Sequence, residues 1–179
     1  MTDYATTPAK KTVRLERLLP GPIERVWAFL VEPEKRARWF AGGVLEPKVG
    51  GRRELIFKHS NITDEPPPER FKGAVAGFTS LGEMTRWDPP RALAFTWVGD
   101  GEPSEVLWEL KPQGDDVLFV ITHRALPTRA EMVDVSGGWT AHVDILEALM
   151  RGAKPAGFWS NIERLEKHYS AAYPQDAAD

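Results

Sequence analysis

The sequence predicts an α+β chain in which a curved antiparallel sheet wraps around a long C-terminal helix, with two short helices near the N-terminus. Three observations predict it. Between residues 44 and about 125, short apolar runs alternate with polar residues and are punctuated by Gly and Pro, as strands joined by tight turns are. From Trp139 the period becomes helical, with Val143, Leu146, Leu149 and Met150 continuing a stripe. Glycines at 42–43, 50–51, 73 and 82 supply the bends that strong sheet curvature needs.

In order along the chain, residues 1–10 read as a disordered tail, and the domain proper spans 11–173. Residues 12–19 alternate, with Val13, Leu15 and Leu18 apolar against Arg14, Glu16 and Arg17, which predicts a first strand. Pro20-Gly21-Pro22 ends it. Ile23, Val26, Trp27 and Leu30 at i, i+3, i+4 and i+7 predict a short helix over 23–31. Pro33 suits the first position of a second helix that runs to Phe40 before Gly42-Gly43. Strands are expected at 44–47, 52–59, 71–78, 82–87, 91–98, 104–110 and 117–124. The proline-rich, acidic segment 61–70 is a long loop, and Asp88-Pro89-Pro90, Gly99-Asp100-Gly101 and Gly114-Asp115 mark turns. The helix that starts at Trp139 stops at Gly152 and Pro155. A helical extension from about 153 carries Phe158, Ile162, Leu165 and Tyr169 on one face, and 174–179 form a second disordered tail.

Composition narrows the function classes. A net charge of −3 gives no basic face for nucleic acid or an anionic membrane surface. The chain contains no cysteine, which excludes disulfides, thiolate metal sites and a cysteine nucleophile. Residues 1–11 are polar and do not read as a signal peptide, and no apolar run approaches the ~20 residues that span a bilayer. Cytoplasm is the expected location. Seven tryptophans are many for 179 residues, and they either fill a core or line a hole. A helix resting on a concave sheet meets its rims before its floor, so a void between them is expected, of the mostly apolar kind that binds small molecules.

Four segments in order carry a resemblance: PIERVWAFLVEPEKRARWF (22–40), WDPPRALAFTW (87–97), VLFVITHRALP (117–127) and GGWTAHVDILEALMRG (137–152). Together they make the chain resemble the branch named for the activator of the heat-shock-protein-90 ATPase, within the START-related, birch-pollen-allergen-like (SRPBCC) superfamily, over roughly residues 13–169. The resemblance implies the helix-grip fold, a cup closed by its C-terminal helix. The tail from about 153 is similar to an extension carried by one bacterial subgroup.

Two residues are candidates for chemistry. His123 shares its strand parity with Val117, Phe119 and Ile121, and so points where they point. His142 lies on the helical stripe between Trp139 and Leu146. Either is a candidate donor or general base toward a ligand, or a core histidine satisfied by the backbone. Trp39, Phe40, Phe57, Trp97, Trp108, Phe119, Trp139 and Leu146 are the candidate lining, which with His123 and His142 completes the expected ligand site. Arg52, Arg53 and Arg70 are candidates for an anionic head group at the mouth. Asp144 and Glu147 read as solvated. No metal site and no cofactor are expected, because two histidines without a nearby carboxylate are too few ligands for zinc. Serine-nucleophile and phosphate-loop motifs are absent from the sequence.

The first functional expectation is non-catalytic binding of a small hydrophobic ligand in an internal cavity. The alternatives are an enzyme on a hydrophobic substrate, of polyketide cyclase or dehydratase type using His123 or His142, and an interaction module stimulating a chaperone ATPase. Phe158, Trp159, Tyr169 and Tyr173 suggest a homodimer through the extension.

Overall fold

The computed structural model describes residues 4–74, 76–99 and 102–178. Strands β1 (Thr6–Ala9), β2 (Thr12–Pro20), β3 (Arg52–Phe57), β4 (Phe78–Asp88), β5 (Ala92–Trp97), β6 (Ser104–Gln113) and β7 (Asp116–Arg124) form one antiparallel sheet in the order β1-β2-β7-β6-β5-β4-β3. Helices α1 (Ile23–Val31) and α2 (Pro33–Arg36) link β2 to β3, while α3 (Arg129–Met150) and α4 (Phe158–Ala172) follow β7. α3 packs against β2 and α4 packs against α3.

Period-2 patterning sets the inner face. In β2 the buried positions are Val13, Leu15, Arg17 and Leu19. They oppose His123, Ile121, Phe119 and Val117 of β7, which oppose Val106, Trp108, Leu110 and Pro112 of β6. The charged residue in the β2 row is a correction: Arg17 faces inward where an outward, solvated side chain was expected, and Leu19 rather than Leu18 is the buried apolar residue. The Arg17 guanidinium lies 2.8 Å from Asp144 Oδ1 and 3.2 Å from Glu147 Oε2, so those two carboxylates bind α3 to the sheet.

Turn chemistry is local and legible. Gly114 takes a positive φ between β6 and β7, and Arg91 N–H closes the Asp88 turn on the Asp88 carbonyl at 2.8 Å. Gly21 is required by close approach, because a Cβ there would sit 2.6 Å from the Asp115 carbonyl oxygen. α2 is shorter than expected. The fully buried Arg36 guanidinium donates to the carbonyls of Leu30, Val31, Ala41, Gly42 and Gly43, fixing residues 37–43 as a turn. Burial lowers its pKa to about 10, so it stays charged.

Several expectations fail in particular ways. The segment 4–9 is not a loose tail: β1 pairs with β2, the Ala5 N–H donates to the Tyr169 hydroxyl at 2.8 Å, and Tyr4 stacks on His168. Residues 174–178 are also held, with Ala177 and Ala178 buried and the Ala177 carbonyl accepting from Lys11 N–H at 3.0 Å. The expected strand at 71–78 is a 3-10 turn over Glu69–Ala74, and the strand begins at Phe78. Residues 44–47 supply a single bridge, Leu45 to Arg53. Helix α3 begins at Arg129, ten residues before the apolar stripe was thought to begin. Part of the expected turn at Gly99-Asp100-Gly101, and residues 1–3 and 179 of the expected tails, lie outside the described residues.

Candidate functional site

Half of the cup is solid. Trp39, Trp108, Phe119 and Leu146 are at most 1% exposed, and their rings pack at centroid distances of 5.6 Å (Trp39–Trp108), 6.4 Å (Trp39–Phe119) and 6.0 Å (Trp108–Phe119). These four expected lining residues are core, as large aromatics most often are. They anchor α2 and α3 to the sheet; the Trp39 indole N–H also donates to the Phe29 carbonyl at 2.9 Å.

His123 sits at the border of that solid half and is fully buried. Its Nδ1 accepts from the Trp139 indole N–H at 3.2 Å, so the ring proton is on Nε2, which donates to Ser104 Oγ at 2.8 Å. Ser104 Oγ passes the chain on to the Trp97 carbonyl at 3.4 Å. Both ring nitrogens are therefore occupied by protein. Desolvation pushes the His123 pKa down to about 3, which keeps it neutral.

The other half is hollow. A cavity of about 440 Å³ opens where β3, β4 and β5 curl away from α3. Phe57, Phe78 and Trp97 form the sheet wall; Val135, Gly138, Trp139 and His142 form the α3 wall. Phe158, Trp159 and Ile162 of α4 close a third side, Phe40 floors it, and His59 and Phe71 from the 58–74 segment roof it. The rings are mutually packed: Phe57–Phe78 are stacked at 4.6 Å, Phe71–Trp159 at 5.1 Å, and Phe40–Trp139 lie 5.1 Å apart.

Few polar groups reach this space. His142 Nδ1–H donates to the Trp39 carbonyl at 2.6 Å, and the ring is 6% exposed. That bond leaves Nε2 as an acceptor; no described group donates to it, and it is not among the nitrogens sealed from solvent. Desolvation first, and then the neighbouring His59, hold the His142 pKa down at about 3 against the Trp39 carbonyl, which raises it. At the rim Arg70 pairs with Glu166 and lies over the Phe71 ring at 4.5 Å. Asp134, also at the rim, has its pKa raised by partial burial and by Glu166, with Arg70 opposing.

Of the expected site, Phe40, Phe57, Trp97, Trp139 and His142 line the cavity. Arg70 is the one member of the expected basic set found there. Arg53 is buried, donating to the Ser80 and Leu81 carbonyls, and Arg52 pairs with Glu54 at 3.4 Å. Phe158 and Trp159 were read as a dimer surface, yet they, Tyr169 and Tyr173 are buried within this chain, so the exposed stripe on which that expectation stood does not exist. Sequence reading missed Phe78, Val135 and Gly138. Val135, Gly138, Trp139 and His142 recur at i, i+3, i+4 and i+7, a signal that starting the helix at Trp139 left out. Among the described residues no cluster of three or more His, Cys, Asp or Glu side chains is placed to hold a metal, and no helix is long and apolar enough to cross a membrane.

A family model described as activator of Hsp90 ATPase homolog 1-like protein matches residues 20–151. A solution structure of a Bordetella parapertussis protein is 40% identical, with a TM-score of 0.82, covering 97% of this chain and 96% of that one. CalU16 from Micromonospora echinospora, a crystal structure, is 22% identical with a TM-score of 0.69 over 94% of this chain and 89% of its own. DynU16, described as a protein in the dynemicin biosynthetic locus, is 19% identical with a TM-score of 0.61 over 80% and 49%. The last two likenesses establish the helix-grip fold alone. No curated protein matches the sequence.

Proposed function

On the premise that the chain belongs to the activator of Hsp90 ATPase homolog 1-like family, we propose that it binds a small hydrophobic molecule, held in the aromatic cavity between β3–β5, α3 and α4. The observation that carries this reading is the cavity itself. Its volume of about 440 Å³ falls in the ordinary range for ligand pockets, and its walls are rings with few polar groups between them. Elsewhere in the same cup the aromatics Trp39, Trp108 and Phe119 are at most 1% exposed and pack against one another.

The enzyme reading draws less support. A general base works best with a pKa near the operating pH. His123 has both nitrogens engaged, and His142 is held at about 3, far below that range. A chaperone-directed role would use the outer surface and leave the cavity without a task.

The test is to fill the hollow. Gly138 lines the cavity, its φ is not positive, and a Cβ built there meets nothing within 4 Å. Gly138→Leu therefore places a side chain in the ligand's space. Titration of an environment-sensitive apolar dye, read by quenching of the cavity-lining tryptophans, should show saturable binding to the native protein. Binding should weaken at least tenfold in the variant while the thermal midpoint holds or rises. Equal dye binding by both proteins, or none by the native one, sinks the proposal.

A further inference from the structure

The cavity's polar groups carry information about the ligand beyond its being apolar, and this inference rests on the binding reading above. His142 is the deepest of them, nine-tenths buried at 6% exposure, on the wall formed by α3. Its Nδ1 proton is committed to the Trp39 carbonyl, so in the neutral ring Nε2 presents a lone pair at the cavity surface with no described donor. Around it stand rings: Phe40 edge-on at 5.1 Å, Phe158 at 4.8 Å and the polar ring of His59 at 6.4 Å. At the rim the one guanidinium, Arg70, is taken by Glu166, and Asp134 adds a second carboxylate. One cation against two carboxylates makes the mouth net negative.

We infer that the cavity selects a flat aromatic molecule carrying a hydrogen-bond donor, a phenolic hydroxyl or ring N–H, which it gives to His142 Nε2. A carboxylate-headed lipid is disfavoured twice, because it meets a lone pair at the inner wall and a net negative mouth. A ligand without a donor occupies the same space but leaves Nε2 buried and unpaired, and an unmade bond to a desolvated acceptor carries a free-energy cost. The tautomer is what makes the recognition one-directional. Were Nδ1 free to accept, Nε2–H would favour ligand carbonyls instead.

The experiment compares three probes of one ring system by tryptophan quenching and calorimetry: 2-naphthol, 2-methoxynaphthalene and 2-naphthoate. The inference expects naphthol to bind roughly fivefold to tenfold more tightly than its methyl ether, and naphthoate to be weakest. In His142→Phe, which keeps an apolar ring but removes the acceptor, the naphthol preference should vanish. If that variant fails to fold by circular dichroism, the comparison within the native protein still decides. Equal affinity for naphthol and its ether, a preference that survives in His142→Phe, or naphthoate bound as tightly as naphthol overturns the inference and leaves the cavity reading standing. Failure of all three probes to bind overturns both.

Discussion

At the residue scale, a buried polar side chain is informative only once its partners are known. Parity along β7 was enough to aim His123 inward, but nothing in the sequence says that Trp139 and Ser104 meet it there. The consequence is measurable. His123 and His142 both have pKa values lowered to about 3, against about 6.5 in an unfolded chain. Between those limits the unfolded state binds more protons, so stability rises with pH through that window and is fully gained only above about 6.5. Each histidine should cost about 2 kcal/mol between pH 7 and pH 5, read as a fall in the urea midpoint that His142→Phe reduces by about half. Invariance of that midpoint over the two units contradicts the assigned burial. Arg17 makes the opposite lesson, because a charge in an alternating strand was assumed to mark the outer face. Asp144 has its pKa raised by burial, with Asn161 and Arg17 opposing, so loss of the Arg17 cation leaves a carboxylate poorly compensated. Arg17→Met should destabilise by about 3 kcal/mol, and Asp144→Leu in the same chain should recover part of that loss. A double variant no better than the single one sinks this account.

At the element scale, α3 and α4 explain why the site was only half legible. The period from Trp139 onward was readable and correct. The ten residues before it were not recognised, although Thr128 and Glu131 carry the spacing of a capping box, and the Thr128 hydroxyl does accept from Glu131 N–H at 3.1 Å. Gly137 and Gly138 lie inside α3, where each costs about 1 kcal/mol relative to alanine. Here each has a separate task. Gly137 faces α4, where a Cβ would make ordinary contact with Leu165 and Glu166; Gly138 faces the cavity and leaves it open. Two hydroxyl pairs fix the register, Ser136 with Tyr173 at 2.7 Å and Thr140 with Tyr169 at 2.7 Å, each partner one turn from the next on its own helix. Gly138→Ala should stabilise the protein by about 0.5–1 kcal/mol, a gain of a few degrees in the calorimetric midpoint. Thr140→Val should cost about 1–2 kcal/mol by leaving the Tyr169 hydroxyl short of a partner. Reversed signs for the pair refute the assignment of tasks.

At the scale of the whole molecule, the fold followed from pattern but the position of the void did not. Alternation, turn residues and one change of period were sufficient for a sheet gripping a helix, because those are local signals. Where the cup stays open depends on which aromatics from distant segments meet, and that is a property of three-dimensional packing. The segment 58–74, expected as loop and strand, roofs the cavity instead and is fastened to α4 at three points: Thr63 Oγ1 accepts from Phe158 N–H at 3.4 Å, the Glu65 carboxylate accepts from Ser160 N–H at 3.1 Å, and Arg70 pairs with Glu166. The Glu65 and Arg70 fastenings are exposed pairs of modest strength. The molecule is thus divided into a solid end built on Trp39 and Trp108 and a hollow end whose walls separate at lower free energy. Hydrogen exchange should show faster opening across 58–74 and the first turns of α4 than across β6 and β7. Addition of 2-naphthol at about a hundred times its dissociation constant should stabilise the fold by roughly 2.7 kcal/mol, with the added protection concentrated in those same two segments. Protection spread evenly over the sheet, or confined to the outer face of β3 and β4, would place the ligand elsewhere. The hollow end would then be a packing defect rather than a binding site.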